Sequence, residues 1–163
     1  MVMRPKDVPM PDHFRLVFTG TALAVRAALK ELIATLAAEG RDDYLRSTTE
    51  IVLGEILNNI VEHAYGPDRQ GEVELCCESG QDALWFTIRD HGAPMPGLCL
   101  PPGRLAPVDG ARQDLPEGGF GWFLVHRLAN DLEYCRDAGC NRLRFAIPYR
   151  RNPEMNARGP VAE

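Results

Sequence analysis

One amphipathic helix constrains this chain more than any other part of it. Between residues 45 and 65, apolar side chains recur at intervals of three and four, which predicts a helix with one buried face. The residues of that face are Leu45, Thr49, Val52, Ile56, Ile60 and Ala64. Gly66 and Pro67 end the pattern, because proline cannot continue a helix and glycine accepts the left-handed cap. The sequence therefore predicts a helix that packs on the core and ends at Gly66.

Two polar residues of this helix lie at the edge of its apolar stripe. Glu55 and Asn59 are four residues apart and share one row of the helix, so we expect them to face the rim of a pocket. The alternative is a solvated polar flank, which is ordinary for a half-buried helix. His63 falls within the stripe by the same count, which predicts a buried, hydrogen-bonded histidine rather than a catalytic one.

Composition narrows the class of protein. A chain of 163 residues with 45% hydrophobic and 25% charged residues suits one globular domain with a real core. The net charge of −5 disfavours nonspecific binding to nucleic acid or to a membrane surface. No apolar run approaches the length of a membrane span, and residues 1–11 lack an apolar signal core. We therefore expect a cytoplasmic protein, and its five cysteines, without a Cys-x-x-Cys pair, suit reduced structural thiols.

The order of predicted elements indicates a layered fold. Strands are predicted over 13–18, 72–78, 83–89, 132–136 and 142–148, and helices over 21–39, from a cap at Asp42 to Tyr65, and over 118–130. Hairpin connections favour a mixed, mostly antiparallel sheet covered on one face by three helices, an α/β (α+β) two-layer sandwich. The folded domain is expected over 13–148, between a flexible N-terminal arm (1–12) and a flexible C-terminal tail (149–163).

A long segment without periodicity interrupts this pattern. Residues 90–117 are rich in proline and glycine and show almost no apolar repeat. A stretch of this length inside a compact domain is usually functional or disordered. We interpret residues 95–117 as a lid over a ligand.

Two further patches suit nucleotide chemistry. Asp90 at a strand end can accept a hydrogen bond from the exocyclic amine of adenine, and Gly92 lets the backbone come close to the base. Gly118-Gly119-Phe120-Gly121 opens a helix whose free N–H groups and positive dipole end suit phosphates. An asparagine oxygen such as that of Asn59 suits magnesium, and a carboxylate one turn away can take a proton from an attacking hydroxyl. Each signal is weak when taken alone.

Taken together and in order, these motifs resemble a known superfamily. Glu-x-x-x-Asn-x-x-x-His (55–63), Asp-x-Gly-x-Pro (90–94), a lid and Gly-Gly-x-Gly (118–121) resemble the Bergerat-fold (GHKL) ATPases. Within that superfamily, His63-Ala64-Tyr65 and the run from Gly118 to Val125 are most similar to bacterial anti-sigma-factor serine/threonine kinases. The resemblance covers residues 13–148, which it identifies as an ATP-binding kinase domain.

The resemblance implies a role for each matching residue. Glu55 matches the general base, Asn59 the magnesium ligand, and Asp90 the acid that binds adenine. The implied nucleotide-binding residues are Asn59, Asp90, Gly92, Pro94, Gly118, Gly119, Phe120 and Gly121, with ATP and Mg²⁺ as cofactors. The chain departs from the pattern in lacking the second glycine of the Asp90 motif and in a Pro-rich lid insertion (95–115). Arg104 and Arg112 are candidates for the basic residue that reaches the phosphates.

The expected function follows from this resemblance. It implies an ATP-dependent serine/threonine protein kinase and anti-sigma regulator, which phosphorylates a small antagonist protein and sequesters a sigma factor. The resemblance also implies a homodimer, with no direct binding to nucleic acid or membrane. One alternative is a nucleotide-dependent binding regulator without turnover. A detached histidine-kinase-type ATPase domain is a second alternative, which is disfavoured because no phosphoacceptor helix precedes residue 13.

Overall fold

The computed structural model describes residues 14–103 and 119–150. The predicted N-terminal arm, residues 104–117 of the predicted lid and residues 151–163 of the predicted tail lie outside the described residues, as do Arg104 and Arg112.

Five strands form a single sheet. They are β1 (Phe14–Thr19), β2 (Glu72–Ser79), β3 (Ala83–Asp90), β4 (Asn130–Asp137) and β5 (Cys140–Pro148). The strand order is β1-β2-β3-β5-β4, and every pairing among the described residues is antiparallel. The predicted two-layer sandwich with a mostly antiparallel sheet is therefore confirmed.

Three α-helices form the second layer. They are α1 (Ala22–Ala38), α2 (Asp43–Asn59) and α3 (Gly119–Leu128). Side chains of Thr21 and Asp42 cap α1 and α2 by accepting backbone N–H groups of the first turn, as such residues do at helix starts. Among the helices that the structure describes, none is long and apolar enough to cross a membrane.

The core lies between the helices and one face of the sheet. Alternate residues of β3 and β5 are buried on that face, and Phe86 stacks on Phe145 with ring centroids 5.4 Å apart. Each buried row also contains one polar residue, because Asp90 at the end of β3 lies opposite Asn141 near the start of β5. A buried polar pair at the edge of an apolar core points to a site rather than to packing alone.

The end of the second helix differs from the prediction. The α-helix stops at Asn59 and continues as a π-helical turn over Ile60–Tyr65. A wider turn rotates the following side chains away from the 3.6-residue pattern. His63 is consequently exposed rather than buried, with its Nε2 atom 3.9 Å from the Glu62 carboxylate, and Tyr65 takes the buried position instead.

Tyr149 belongs to the packed domain rather than to the tail. Its hydroxyl donates to the Gly80 carbonyl at 3.2 Å, and its backbone N–H donates to the Asp82 carbonyl at 2.9 Å. The Arg41 guanidinium lies over its ring, 5.1 Å from the centroid. The segment that directly follows β5 is therefore held against the turn between β2 and β3 by hydrogen bonds.

Candidate functional site

A cavity of about 470 Å³ opens between α2, α3 and the ends of β3 and β5. This volume falls within the usual range of small-molecule sites. Its apolar wall includes Ile56, Ile60, Ile88, Trp122 and Leu143, and its polar groups include Asn59, Asp90, Tyr134 and Asn141. A mostly apolar cleft with a few convergent polar groups can bind a flat heterocycle and select it by hydrogen bonding.

Asp90 is the central polar group of the cavity. It is 5% exposed, and its Oδ1 atom accepts hydrogen bonds from the Gly92 N–H and the Asn141 Nδ2, both at 2.9 Å. Its Oδ2 atom makes no hydrogen bond with the described residues. A buried carboxylate with one occupied and one available oxygen can accept a hydrogen bond from a ligand's N–H group.

Gly92 holds the loop after β3 against the end of the second helix. A Cβ atom at this position would lie 2.6 Å from the carbonyl oxygen of Ala64, so no other residue fits without moving backbone. The neighbouring Ala93 N–H donates to the same oxygen at 2.7 Å, and Pro94 then lines the cavity. The approach of the Gly92 backbone to a base stays a prediction, and the close neighbour within the described residues is the Ala64 backbone.

Tyr65 also holds the loop after β3 in place through hydrogen bonds of its hydroxyl group. Its hydroxyl donates to the Glu72 carbonyl at 2.6 Å and accepts from the His91 N–H at 3.0 Å. Burial raises the pKa of the Tyr65 phenol above its ordinary value. The π-helical turn therefore supplies both Ala64 and Tyr65 to position the Asp90 loop.

Asn59 and Glu55 occupy different places at the rim. Asn59 is half-buried and lines the cavity, whereas Glu55 is exposed and is absent from the cavity wall. Glu55 instead lies against α3, since a Cβ atom on Gly121 would come within 2.3 Å of its Oε2. Glu55 is therefore reachable from outside the cavity.

The glycine motif lies in the first turn of α3. Gly119, Phe120 and Gly121 are helical, and Phe120 is 62% exposed. Gly118 lies outside the described residues. The helix begins beside Glu55, so its free N–H groups and positive dipole end are placed near the carboxylate.

Sequence reasoning missed the hairpin side chains behind Asp90. Asn141 bonds Asp90 directly, and Tyr134 and Arg136 each donate to the Asn141 Oδ1 atom at 2.7 Å. No motif marks them, because their approach depends on the register of β3 with β5 and of β5 with β4. The one signal in the sequence is the position of Asn141, which directly follows the 137–140 turn. A polar residue there can meet a carboxylate at the end of a neighbouring strand, such as Asp90.

Comparison with known families decides the assignment. Residues 18–147 match the family model described as the histidine kinase-like ATPase domain. The chain belongs to this family. Its membership confirms the resemblance to the GHKL ATPases that the motifs indicated.

Curated relatives of this chain include protein kinases. The chain is 33% identical over 92 residues to the serine-protein kinase RsbW of Halalkalibacterium halodurans, which covers 55% of each chain. It is 32% identical over 100 residues to the serine/threonine-protein kinase BtrW of Bordetella bronchiseptica, covering 61% of this chain and 68% of that relative. The alignments with the RsbW relatives span little more than half the length of those proteins.

A solved structure shares the fold of this ATPase domain. It contains the RsbU and RsbW domains of Rv1364c from Mycobacterium tuberculosis. The TM-score is 0.50 at 18% identity, with 84% of this chain and 33% of that chain covered. At this identity the likeness supports the fold alone.

Proposed function

We propose that this protein binds ATP in the cavity and transfers the terminal phosphoryl group to a serine or threonine hydroxyl of another protein. The observation that carries the proposal is the buried Asp90 with one oxygen available at the wall of an apolar cavity. Adenine fits this site because its exocyclic amine is a donor and its faces are apolar. Gly92 and Pro94 shape the loop that would hold the base.

The phosphates would lie toward α3. Gly118, Gly119, Phe120 and Gly121 are proposed to offer backbone N–H groups at the start of this helix. No group of three or more His, Cys, Asp or Glu side chains suited to a metal ion occurs within residues 14–103 and 119–150. Magnesium would be held by the Asn59 oxygen together with phosphate oxygens and water, where it would neutralise phosphate charge.

Glu55 is proposed as the general base. It would accept the proton of the incoming hydroxyl while that oxygen bonds to the terminal phosphorus and the bond to the ADP oxygen breaks. Its exposure outside the cavity wall favours an acceptor carried by a protein, which can approach from the surface. The names of the relatives, serine-protein kinase and serine/threonine-protein kinase, support the same reaction.

The proposed partners follow from the family. We propose that the acceptor is a small antagonist protein and that the kinase, as a homodimer, sequesters a sigma factor when the antagonist is phosphorylated. The phosphate adds a charge of about −1.5 to −2. Because this phosphate would lie beside Glu55 and bound ADP, like-charge repulsion would release the product.

A transfer assay with γ-labelled ATP and candidate antagonists tests this function. We expect acid-stable label on a serine or threonine of the antagonist, and loss of labelling when that residue is replaced by alanine. A regulator without turnover would show ATP-dependent binding but no label. Acid-labile label on a histidine would instead indicate a histidine-kinase-type domain.

A further inference from the structure

Three side chains of the β4–β5 hairpin form a cluster behind Asp90. Asn141 is buried opposite Asp90, and Tyr134 and Arg136 lie beside it on β4. We infer that Arg136 and Tyr134 are positioning residues that fix the Asn141 amide and thereby set the choice of adenine over guanine. This inference rests on the proposed function, because it concerns the same base-binding carboxylate.

The oxygen of the Asn141 amide faces two donors. The Arg136 Nη1 and the Tyr134 hydroxyl each lie 2.7 Å from Oδ1. The Tyr134 oxygen already accepts the Met95 N–H at 3.0 Å, so its own proton is directed to Asn141. Both neighbours therefore require an acceptor at this position.

The nitrogen of the same amide faces acceptors. Asn141 Nδ2 donates to Asp90 Oδ1 and to the Ala93 carbonyl, both at 2.9 Å. A reversed amide would place its oxygen against a carboxylate and a carbonyl, and its N–H groups against two donors. Arg136 also donates to the Gly92 carbonyl at 2.9 Å, which ties the amide and the Asp90 loop to one guanidinium.

This fixed amide determines what Asp90 can offer a base. With Oδ1 held by the Gly92 N–H and Asn141, Asp90 presents its other oxygen as an acceptor. Adenine carries an amine at the matching position, whereas guanine carries a carbonyl that an acceptor repels. Asn141 lines the cavity, so an amide released by Arg136 could turn an N–H toward that carbonyl.

Calorimetry on the full chain with Mg-ATP and Mg-GTP tests the inference. For Arg136→Met we expect the affinity for ATP to fall about ten-fold and the affinity for GTP to fall less. The ratio of ATP affinity to GTP affinity should therefore decrease by about five-fold or more. Arg136→Lys keeps the charge and a hydrogen-bond donor, so its ratio of ATP affinity to GTP affinity should lie between those of Arg136→Met and the wild type. Arg142→Met is the matched control, since Arg142 is exposed on the same hairpin and should leave both affinities unchanged.

Tyr134→Phe removes one hydroxyl and keeps the ring, so it tests the inference even if Arg136→Met does not fold. We expect the ratio of ATP affinity to GTP affinity to decrease by about three-fold. Equal losses for both nucleotides, or no loss, in these variants would overturn the inference and leave the proposed function standing. Failure of the wild-type protein to bind ATP would overturn the proposed function and the inference with it.

Discussion

The two ends of the cavity are built differently. At the end proposed to bind the base, called the base end, Asp90 and Asn141 are buried and joined by hydrogen bonds to each other and to the loop after β3. At the end proposed to face the phosphates, called the phosphate end, Asn59 is half-buried, and Glu55 is exposed without a hydrogen bond or ion pair to the described residues. One end is fixed before any ligand arrives, and the other end is open.

This difference suits two tasks. Recognition of a base requires polar groups whose orientation is already set, which a buried hydrogen-bonded network with one acceptor oxygen left available provides. Transfer to a protein hydroxyl requires a carboxylate that a second molecule can reach, and catalytic hydrogen bonds often form only in the reactive complex. We therefore expect base-end variants to change binding and phosphate-end variants to change transfer.

The largest expected effect is at Glu55. Glu55→Gln should lower phosphoryl transfer by about 10²–10⁴-fold, the usual loss for a general base, and leave ATP affinity unchanged. Glu50→Gln is the matched control, because Glu50 is an exposed carboxylate on the same helix. A single-turnover assay combined with calorimetry separates the two quantities. Unchanged transfer in Glu55→Gln would place the base elsewhere.

The second variant tests the base end. Asp90→Asn replaces a charged acceptor by an amide that can present a donor to the adenine amine, so ATP affinity should fall about ten- to a hundred-fold. Calorimetry with ATP measures the change, and a thermal melt without nucleotide shows whether the fold is intact. Equal affinity in the variant and the wild type would contradict the adenine site.

The sequence predicted the base end only in part. Asp90 and Gly92 were predicted because they follow an alternating strand directly, which is a local pattern. Asn141, Tyr134 and Arg136 were not predicted, because they reach Asp90 only through strand pairing between distant segments. The three helices and five strands were predicted because each has its own periodicity and turn signals.

His63 shows where local periodicity failed. The helical pattern continues through Ile60 in the sequence, but the backbone changes to a π-helical turn there. The hydrogen bond from Ala93 to the Ala64 carbonyl and the two hydrogen bonds of Tyr65 stabilise that turn from outside the helix. A local pattern cannot report contacts with a loop nearly 30 residues later.

A third variant tests whether magnesium binds at the phosphate end of the cavity. Asn59→Ala removes one oxygen ligand and leaves Asp90 untouched, so the gain in ATP affinity on adding magnesium should shrink by about five-fold, roughly 1 kcal/mol. Affinity without magnesium should not change. Titrations with and without magnesium measure this difference, and an equal loss in both would assign Asn59 to the nucleotide itself.

The smallest expected effect concerns the contact between α2 and α3. There, one variant should lower the rate of phosphoryl transfer without lowering thermal stability. A Cβ atom on Gly121 would lie 2.3 Å from the flexible end of Glu55, so Gly121→Ala should displace that carboxylate without moving backbone. Gly54→Ala is the control, because its Cβ atom would meet only Leu29 Cδ1 at 3.9 Å. Alanine favours both helices by about 0.5–1 kcal/mol, so neither variant should unfold at a lower temperature.

Transfer should distinguish these two alanine variants. We expect a several-fold loss in Gly121→Ala, because a general base must lie within about 3 Å of the oxygen whose proton it accepts. Gly54→Ala should transfer at the wild-type rate, since it adds a methyl group away from Glu55. Thermal melts and single-turnover transfer on both variants measure the two quantities. Wild-type transfer in Gly121→Ala would mean that the position of Glu55 against α3 is not the one used in the reaction.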